Sequence, residues 1–195
     1  GYAINRGQRG LFLVPEISLT PQLIQRLSAR FPGQIGLWHS GLTAGQQYDT
    51  WWRIRQGEFD IILGSRSAVF TPVKNLGIII MDEEHEWAYK QQDPAPRYHV
   101  RNIAQKLMES SGCVLILGSA TPDVGTYYKG IQGDYEVLRL RSRIISGSLD
   151  RQRTGQLATV KIVDMREELK AGVRSIFSRI LEKSLVDTLA RGEQA

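Results

Sequence analysis

An apolar run, Ile78-Ile79-Ile80-Met81, leads straight into Asp82-Glu83-Glu84-His85. Acids released at the carboxyl end of a buried strand arrive at the sheet edge where open α/β folds bind their ligands. An aspartate at that point, Asp82, is placed to hold Mg²⁺ on a nucleotide, and the following Glu83 to orient or deprotonate water. The competing interpretation is a solvated acidic turn that merely ends a strand. A zinc-protease site is excluded by spacing, because His85-Glu86-Trp87-Ala88-Tyr89 lacks the second histidine that the helical motif requires. A second apolar run ends in Leu117-Gly118-Ser119-Ala120-Thr121-Pro122. The hydroxyls of Ser119 and Thr121 could bond both a neighbouring carboxylate and a phosphate; taken alone, the segment reads as a turn with Thr121 capping a helix.

Three more segments follow apolar runs and should share that edge: Val14-Pro15-Glu16-Ile17-Ser18-Leu19-Thr20, His39-Ser40-Gly41 and Gly64-Ser65-Arg66-Ser67. Hydroxyls, helix-start amides and an arginine suit a nucleic-acid backbone, which they would grip without reading its sequence. Ordinary helix capping is the alternative, and Thr20 is a cap on either view; Arg66 is the residue that capping explains least. The stretch from Trp87 to Tyr98 carries Trp87, Tyr89, Lys90, Arg97 and Tyr98 and is broken by Pro94 and Pro96. Aromatics beside cations are the parts of a single-strand stacking platform. The alternative is a plain loop pinned to the core by Trp87 and Tyr89. Trp51 and Trp52 lie in a helical pattern and are assigned to packing.

The elements that must position these residues alternate between short β-branched runs and helical patterns, which predicts a parallel sheet covered by helices. Strands are expected at 11–14, 35–38, 60–63, 77–81 and 113–117. Nearly all-apolar strands predict helices on both faces. Thr20-Pro21 opens one helix; Thr43 with Gln46 forms a capping box for a second that Gly57 stops; a third runs from Val100 to Gly112. The character changes near residue 138. Residues 1–138 form one lobe, 139–159 a basic linker or loop, and 160–195 the opening of another domain, with a strand at 160–163 and a helix at 178–191.

The 195 residues include 25 basic and 20 acidic ones, a net charge of +5 that permits an anionic partner. The single cysteine, Cys113, excludes an internal disulfide and a zinc site built on paired cysteines within this chain. No apolar stretch approaches the roughly 18 residues of a membrane span, and no secretory leader follows Gly1. A soluble, cytoplasmic protein without a membrane partner is expected.

Taken together, LVPEISLTPQ, WHSGLT, GSRSAVFTP, IIIMDEEHEWAYKQQ, PRYHVR and LGSATP resemble the PriA family of bacterial replication-restart helicases, within superfamily 2. The resemblance continues into Val163-Asp164-Met165-Arg166. It implies a RecA-like parallel sheet of the P-loop NTPase type and ATP-dependent 3′-to-5′ movement on single-stranded or forked DNA, alongside other primosome proteins in a bacterial cytoplasm. Asp82 would be the Walker B aspartate for Mg²⁺ and ATP, and Glu83 the activator of water. His85 would link them to Ser119, Ala120 and Thr121. The DNA backbone track would comprise Glu16, Ser18, Thr20, Ser40, Ser65, Arg66 and Ser67. Trp87, Tyr89, Lys90, Arg97 and Tyr98 would belong to an aromatic-rich loop that senses single-stranded DNA.

The departure from the family is the phosphate loop, G-x-x-x-x-G-K-S/T, which occurs nowhere in this sequence. Gly1 to Arg9 resemble the end of the helix that follows that loop, so the sheet is expected to be incomplete at its N-terminal edge, with strands left unpaired and apolar surface exposed. The family's zinc module and most of the second motor lobe would lie elsewhere. On this basis the chain alone is expected to be inactive. Two rivals remain: another superfamily 2 DNA translocase, and a non-catalytic nucleic-acid-binding module without a phosphate loop.

Overall fold

Five short apolar segments become five parallel strands in the computed structural model, which describes residues 1–16, 19–140 and 159–194. These are β1 (Arg9–Leu13), β2 (Ile35–Trp38), β3 (Ile61–Gly64), β4 (Leu76–Met81) and β5 (Val114–Leu117), in the order β2-β3-β1-β4-β5. Around them lie α1 (Tyr2–Asn5), α2 (Pro21–Arg30), α3 (Ala44–Gln56), α4 (Val100–Ser111) and α5 (Val124–Gln132), with two 3-10 turns at Arg66–Phe70 and Trp87–Tyr89. The register pairs Trp38 with Gly64, Gly64 with Leu13, Leu13 with Met81, and Met81 with Leu117. All five strands therefore end in one row.

Paired residues of parallel strands share a face. Leu11, Leu13, Ile62, Ile79 and Met81 form one face and pack with Ile54 of α3 and Val100 and Ala104 of α4 into the main core. Right-handed crossovers put α2, which steps from β1 outward to β2, on the face opposite α3 and α4, which step back the other way. That second face is covered unevenly. Leu63 is buried on it, whereas Val114 and Ile116 of β5 are 58% and 44% exposed. Among the described residues β5 has a neighbour on one side only, β4. The expected open apolar surface lies here, whereas the N-terminal strand β1, expected at an incomplete edge, is central and paired on both sides by β3 and β4.

Local chemistry sets the helix ends. Thr20 Oγ1 accepts the Leu23 N–H at 3.3 Å, with Pro21 in the first turn. Thr43 and Gln46 exchange both bonds of a capping box, and Gly57 ends α3 at φ +83°. The Thr121 cap is corrected: Asp123 accepts the N–H groups of Gly125 and Thr126 at 3.0 and 3.2 Å and starts α5, a helix the periodicity did not reveal. Trp51 and Trp52 pack edge-to-face on each other at 5.3 Å with the Arg55 guanidinium over both rings, while Ile54 alone of α3 is buried. Their packing is at the surface, not in the core.

The chain divides into two compact units, Gly1–Val137 and Leu138–Ala195. In the second, α6 (Met165–Lys170) and α7 (Arg179–Ala190) are capped by Asp164 and Ser178. Glu168 of α6 takes two bonds from the Arg179 guanidinium, at 3.0 and 3.1 Å, and a third from the Arg179 N–H at 3.0 Å. The strand expected at 160–163 is not formed. Val160 and Ile162 are exposed, and that unit has no described strand for them to pair with. Most of the basic stretch 139–159 lies outside the described residues.

The two faces predict different mutational costs. Ile79→Ala should lower stability by ~2–5 kcal/mol, and Ile116→Thr by less than ~1 kcal/mol, in equilibrium urea denaturation of the purified chain. Equal losses would contradict the assignment of the faces.

Candidate nucleotide and nucleic-acid site

The row of strand ends delivers the acidic segment between two neighbours. The Asp82 N–H bonds the Leu13 carbonyl of β1 at 2.9 Å. On the other side, the Gly118 N–H bonds Met81 O at 2.8 Å and the Glu84 N–H bonds Gly118 O at 3.0 Å. Within this stitching the Asp82 carboxylate accepts the Glu83 N–H at 3.1 Å, and Glu83 adopts φ +46°, in the left-handed region. A residue with a side chain is held there only where its surroundings over-determine it. His85 Nδ1 shares a hydrogen bond with Ser119 Oγ at 2.7 Å and lies 3.6 Å from Glu83 Oε2; its Nε2 lies 3.4 Å from Thr121 Oγ1. Asp82, Glu83, His85, Ser119 and Thr121 are thus brought together at the carboxyl edge.

Asp82 is half-buried, and no cation pairs with it among the described residues. One hard carboxylate with its charge uncompensated fits Mg²⁺ of the kind bound by a carboxylate plus substrate phosphates. Among the described residues no group of three or more His, Cys, Asp or Glu is set to hold a metal by itself. Tyr89 is fully buried. Its hydroxyl reaches Asp82 O at 2.6 Å and Leu13 O at 3.1 Å. Burial, then the charges of Asp82, Glu83 and Glu86, push its pKa far above the ordinary phenol value, so it remains a neutral donor. Tyr89 is a clamp across the ends of β1 and β4, not the stacking surface expected.

The remaining loop residues are also mostly occupied in building the loop. Arg66 Nη1 donates to the carbonyls of Ala88 and Lys90, both at 3.2 Å. Lys90 Nζ donates to Arg97 O at 2.5 Å, and a backbone bridge joins Lys90 to His99. Tyr98 packs edge-to-face on Phe70, ring centres 4.9 Å apart. Trp87, 72% exposed, and the Arg97 guanidinium, 4.0 Å from Asp93, are left facing solvent.

Along the expected backbone track, Ser40, Ser67 and Thr20 are exposed, whereas Ser65 is buried and so does not face a ligand. Ser67 Oγ accepts the Trp38 indole N–H at 3.1 Å. The Glu16 carboxylate accepts the Ser40 hydroxyl, so it orients that serine and would itself repel a phosphate. Ser18 lies outside the described residues. Gly64 precedes this segment because a Cβ there would collide with the Trp38 carbonyl oxygen and with Ala68 Cβ.

Sequence reasoning missed a network behind the acidic loop. Glu84, 1% exposed, pairs with Arg101 of α4 at 2.7 Å, accepts the Asp123 N–H at 2.7 Å and takes the Thr126 hydroxyl at 3.1 Å. Partial desolvation raises the Asp123 pKa, but its bonds from the Thr126 N–H, Arg101 and the Gly125 N–H outweigh that and hold it below the usual carboxylate range. The only available signal was the surplus acid in the motif.

With the geometry in place, the profile of the DEAD/DEAH box helicase family matches residues 2–128. The chain belongs to that family. It is similar to the replication restart protein PriA of Bacillus subtilis, with 46% identity over 190 residues, covering 97% of this chain and 22% of that protein. The Synechocystis PriA is 44% identical over 194 residues, all of this chain and 23% of the relative. The Thermotoga maritima PriA is 37% identical, over 94% and 23% respectively. The chain therefore spans less than a quarter of these relatives' length. The five-stranded parallel sheet is the RecA-like ATPase fold. No helix among the described residues is long and apolar enough to cross a membrane.

His99 supplies a pH test of the site's frame. It caps α4 by accepting the Arg101 N–H at Nδ1, 3.2 Å away. Burial first, then the Arg101 and Lys90 charges, lower its pKa below 6.5, against the smaller opposing pull of Asp123 and Glu84. Neutral His99 thus stabilises the fold above about pH 6.5, and the contribution is lost as pH falls through the depressed value. Amide exchange at Arg101 and Asn102 should accelerate between pH 7 and pH 5 after correction for intrinsic rates, and His99→Asn should flatten that change.

Proposed function

We propose that residues 1–138 are part of the ATP-binding lobe of a DNA translocase, moving 3′ to 5′ and coupling ATP hydrolysis to single-strand translocation during replication restart. Residues 160–195 then open the second RecA-like lobe, joined through the basic stretch 139–159. DNA, single-stranded or forked, is the partner, with other primosome proteins, in a bacterial cytoplasm. Similarity to the PriA proteins supports this assignment. The observation that carries it is His85, which touches both Ser119 and the neighbourhood of Glu83.

Bound Mg²⁺ would neutralise charge on the phosphates of ATP. Asp82 is the residue to hold that ion, its backbone fixed from both sides by Leu13 and Tyr89. Glu83 is the residue to accept a proton from the attacking water. His85 ties Glu83 to the 119–121 segment, so a shift of that segment on DNA is felt at the base. Ser67, whose Oγ accepts the Trp38 indole N–H and keeps its own proton, offers a hydroxyl to the DNA backbone, and Trp87 and Arg97 an exposed ring and cation to its bases and phosphates. The lysine that cradles the β- and γ-phosphates has no counterpart in this sequence.

In the whole protein that carries this chain, Glu83→Gln should lower DNA-stimulated ATP turnover by about 10²-fold or more, leaving single-strand affinity intact. Turnover at the parent level would remove Glu83 from the role of base. The isolated chain should show no DNA-stimulated ATP hydrolysis in a coupled phosphate-release assay; measurable turnover would contradict its need for a phosphate loop.

A further inference from the structure

Glu84 is the residue of the acidic segment that cannot act on a nucleotide, since its carboxylate is buried and fully engaged. Its neighbour Glu83 stands at φ +46°, a backbone conformation that a glutamate does not choose unaided. The bonds around Glu84 act on that backbone from the next residue. Its N–H is held by Gly118 O at 3.0 Å. Its side chain is held by Arg101 of α4 at 2.7 Å, by the Asp123 N–H at 2.7 Å and by the Thr126 hydroxyl at 3.1 Å. Arg101 is shared in turn with Asp123, at 3.2 Å, and with Thr126 Oγ1. The same carboxylate thus fastens three elements: the loop after β4, the first turn of α4 and the start of α5.

We propose that Glu84, through its ion pair with Arg101, is a positioning residue that holds Glu83 in its left-handed backbone conformation and fixes α5 relative to the water-activating carboxylate. This rests on the role proposed above for Glu83. With the anchor removed, Glu83 and Glu84 relax toward an ordinary turn and the Glu83 carboxylate leaves its place, while Leu13 and Tyr89 keep hold of the Asp82 backbone. Binding of nucleotide at Asp82 and of DNA at the exposed track does not pass through this anchor. The defect therefore falls on kcat.

The test uses the whole protein with Glu84→Gln, Arg101→Gln, the double variant, and Glu83→Gln as reference. Expected are a fall in kcat of about 10- to 100-fold for each single variant, KM for ATP and single-strand affinity within about twofold of the parent, and a double variant no slower than the slower single one. A kcat near the parent's in either single variant, beside a silent Glu83→Gln, overturns the inference alone. So does a loss of kcat that tracks equal losses of DNA affinity and melting temperature, the sign of a structural role only. Full turnover in Glu83→Gln overturns the underlying role of Glu83 instead. If Glu84→Gln does not fold, Arg101→Lys keeps the charge on a side chain one atom shorter, whose ammonium does not reach the place of Nη1 between Glu84 and Thr126: reduced kcat at unchanged KM supports the inference, and unchanged kcat overturns it.

Discussion

Strands that all run the same way must all release the chain at the same edge. Here the constraint is tightened by register, because Trp38, Gly64, Leu13, Met81 and Leu117 are partners in one continuous row. Ser40, Ser65, Glu16, Asp82 and Ser119 follow within three residues of that row, although the first and last of them, Glu16 and Ser119, stand 103 positions apart in the chain. A slip of one residue between β1 and β4 would turn Ile79 and Met81 away from α4. Burial of that face against Val100 and Ala104 is therefore what keeps the edge in order.

Behind the edge, side chains that resemble ligand-binding groups in the sequence serve as framework. Tyr89 closes the gap between β1 and β4 with one hydroxyl, Arg66 carries two carbonyls of the following loop, and Lys90 fastens that loop's return. A phenol and a guanidinium reach much farther than their backbones do. They are suited to holding a loop that has few backbone bonds of its own. What remains exposed with a group to spare for a ligand is a shorter set: Trp87, Arg97, Ser67 and Thr20.

How far this was legible in the sequence follows from the range of the forces. The five strands, the Thr43–Gln46 box and the Gly57 and Gly112 stops rest on neighbours in the chain, and the pattern displays them. The grouping of Asp82, Glu83, His85, Ser119 and Thr121 follows from strand polarity, so motif position sufficed to anticipate it. Burial of Tyr89 and Ser65 depends on what packs over them, which no local window contains. The cap at Asp123 rather than Thr121 goes with a bond to Glu84 from 39 residues away. A strand at 160–163 has suitable residues but no described neighbour to bond with.

The outer side of β5 has a consequence for the chain in solution. Edge strands escape unwanted pairing through lysines, prolines, bulges or a cover. Val114-Leu115-Ile116-Leu117 has neither a charge nor a proline, and its backbone groups on the side away from β4 have no partner strand among the described residues. Such an edge is a template that accepts any extended apolar segment, one from the same polypeptide or one from a second copy. At high concentration, self-association of the isolated chain would then proceed edge to edge, with Val114 and Ile116 as its sticky face, while the core beneath α4 stays folded.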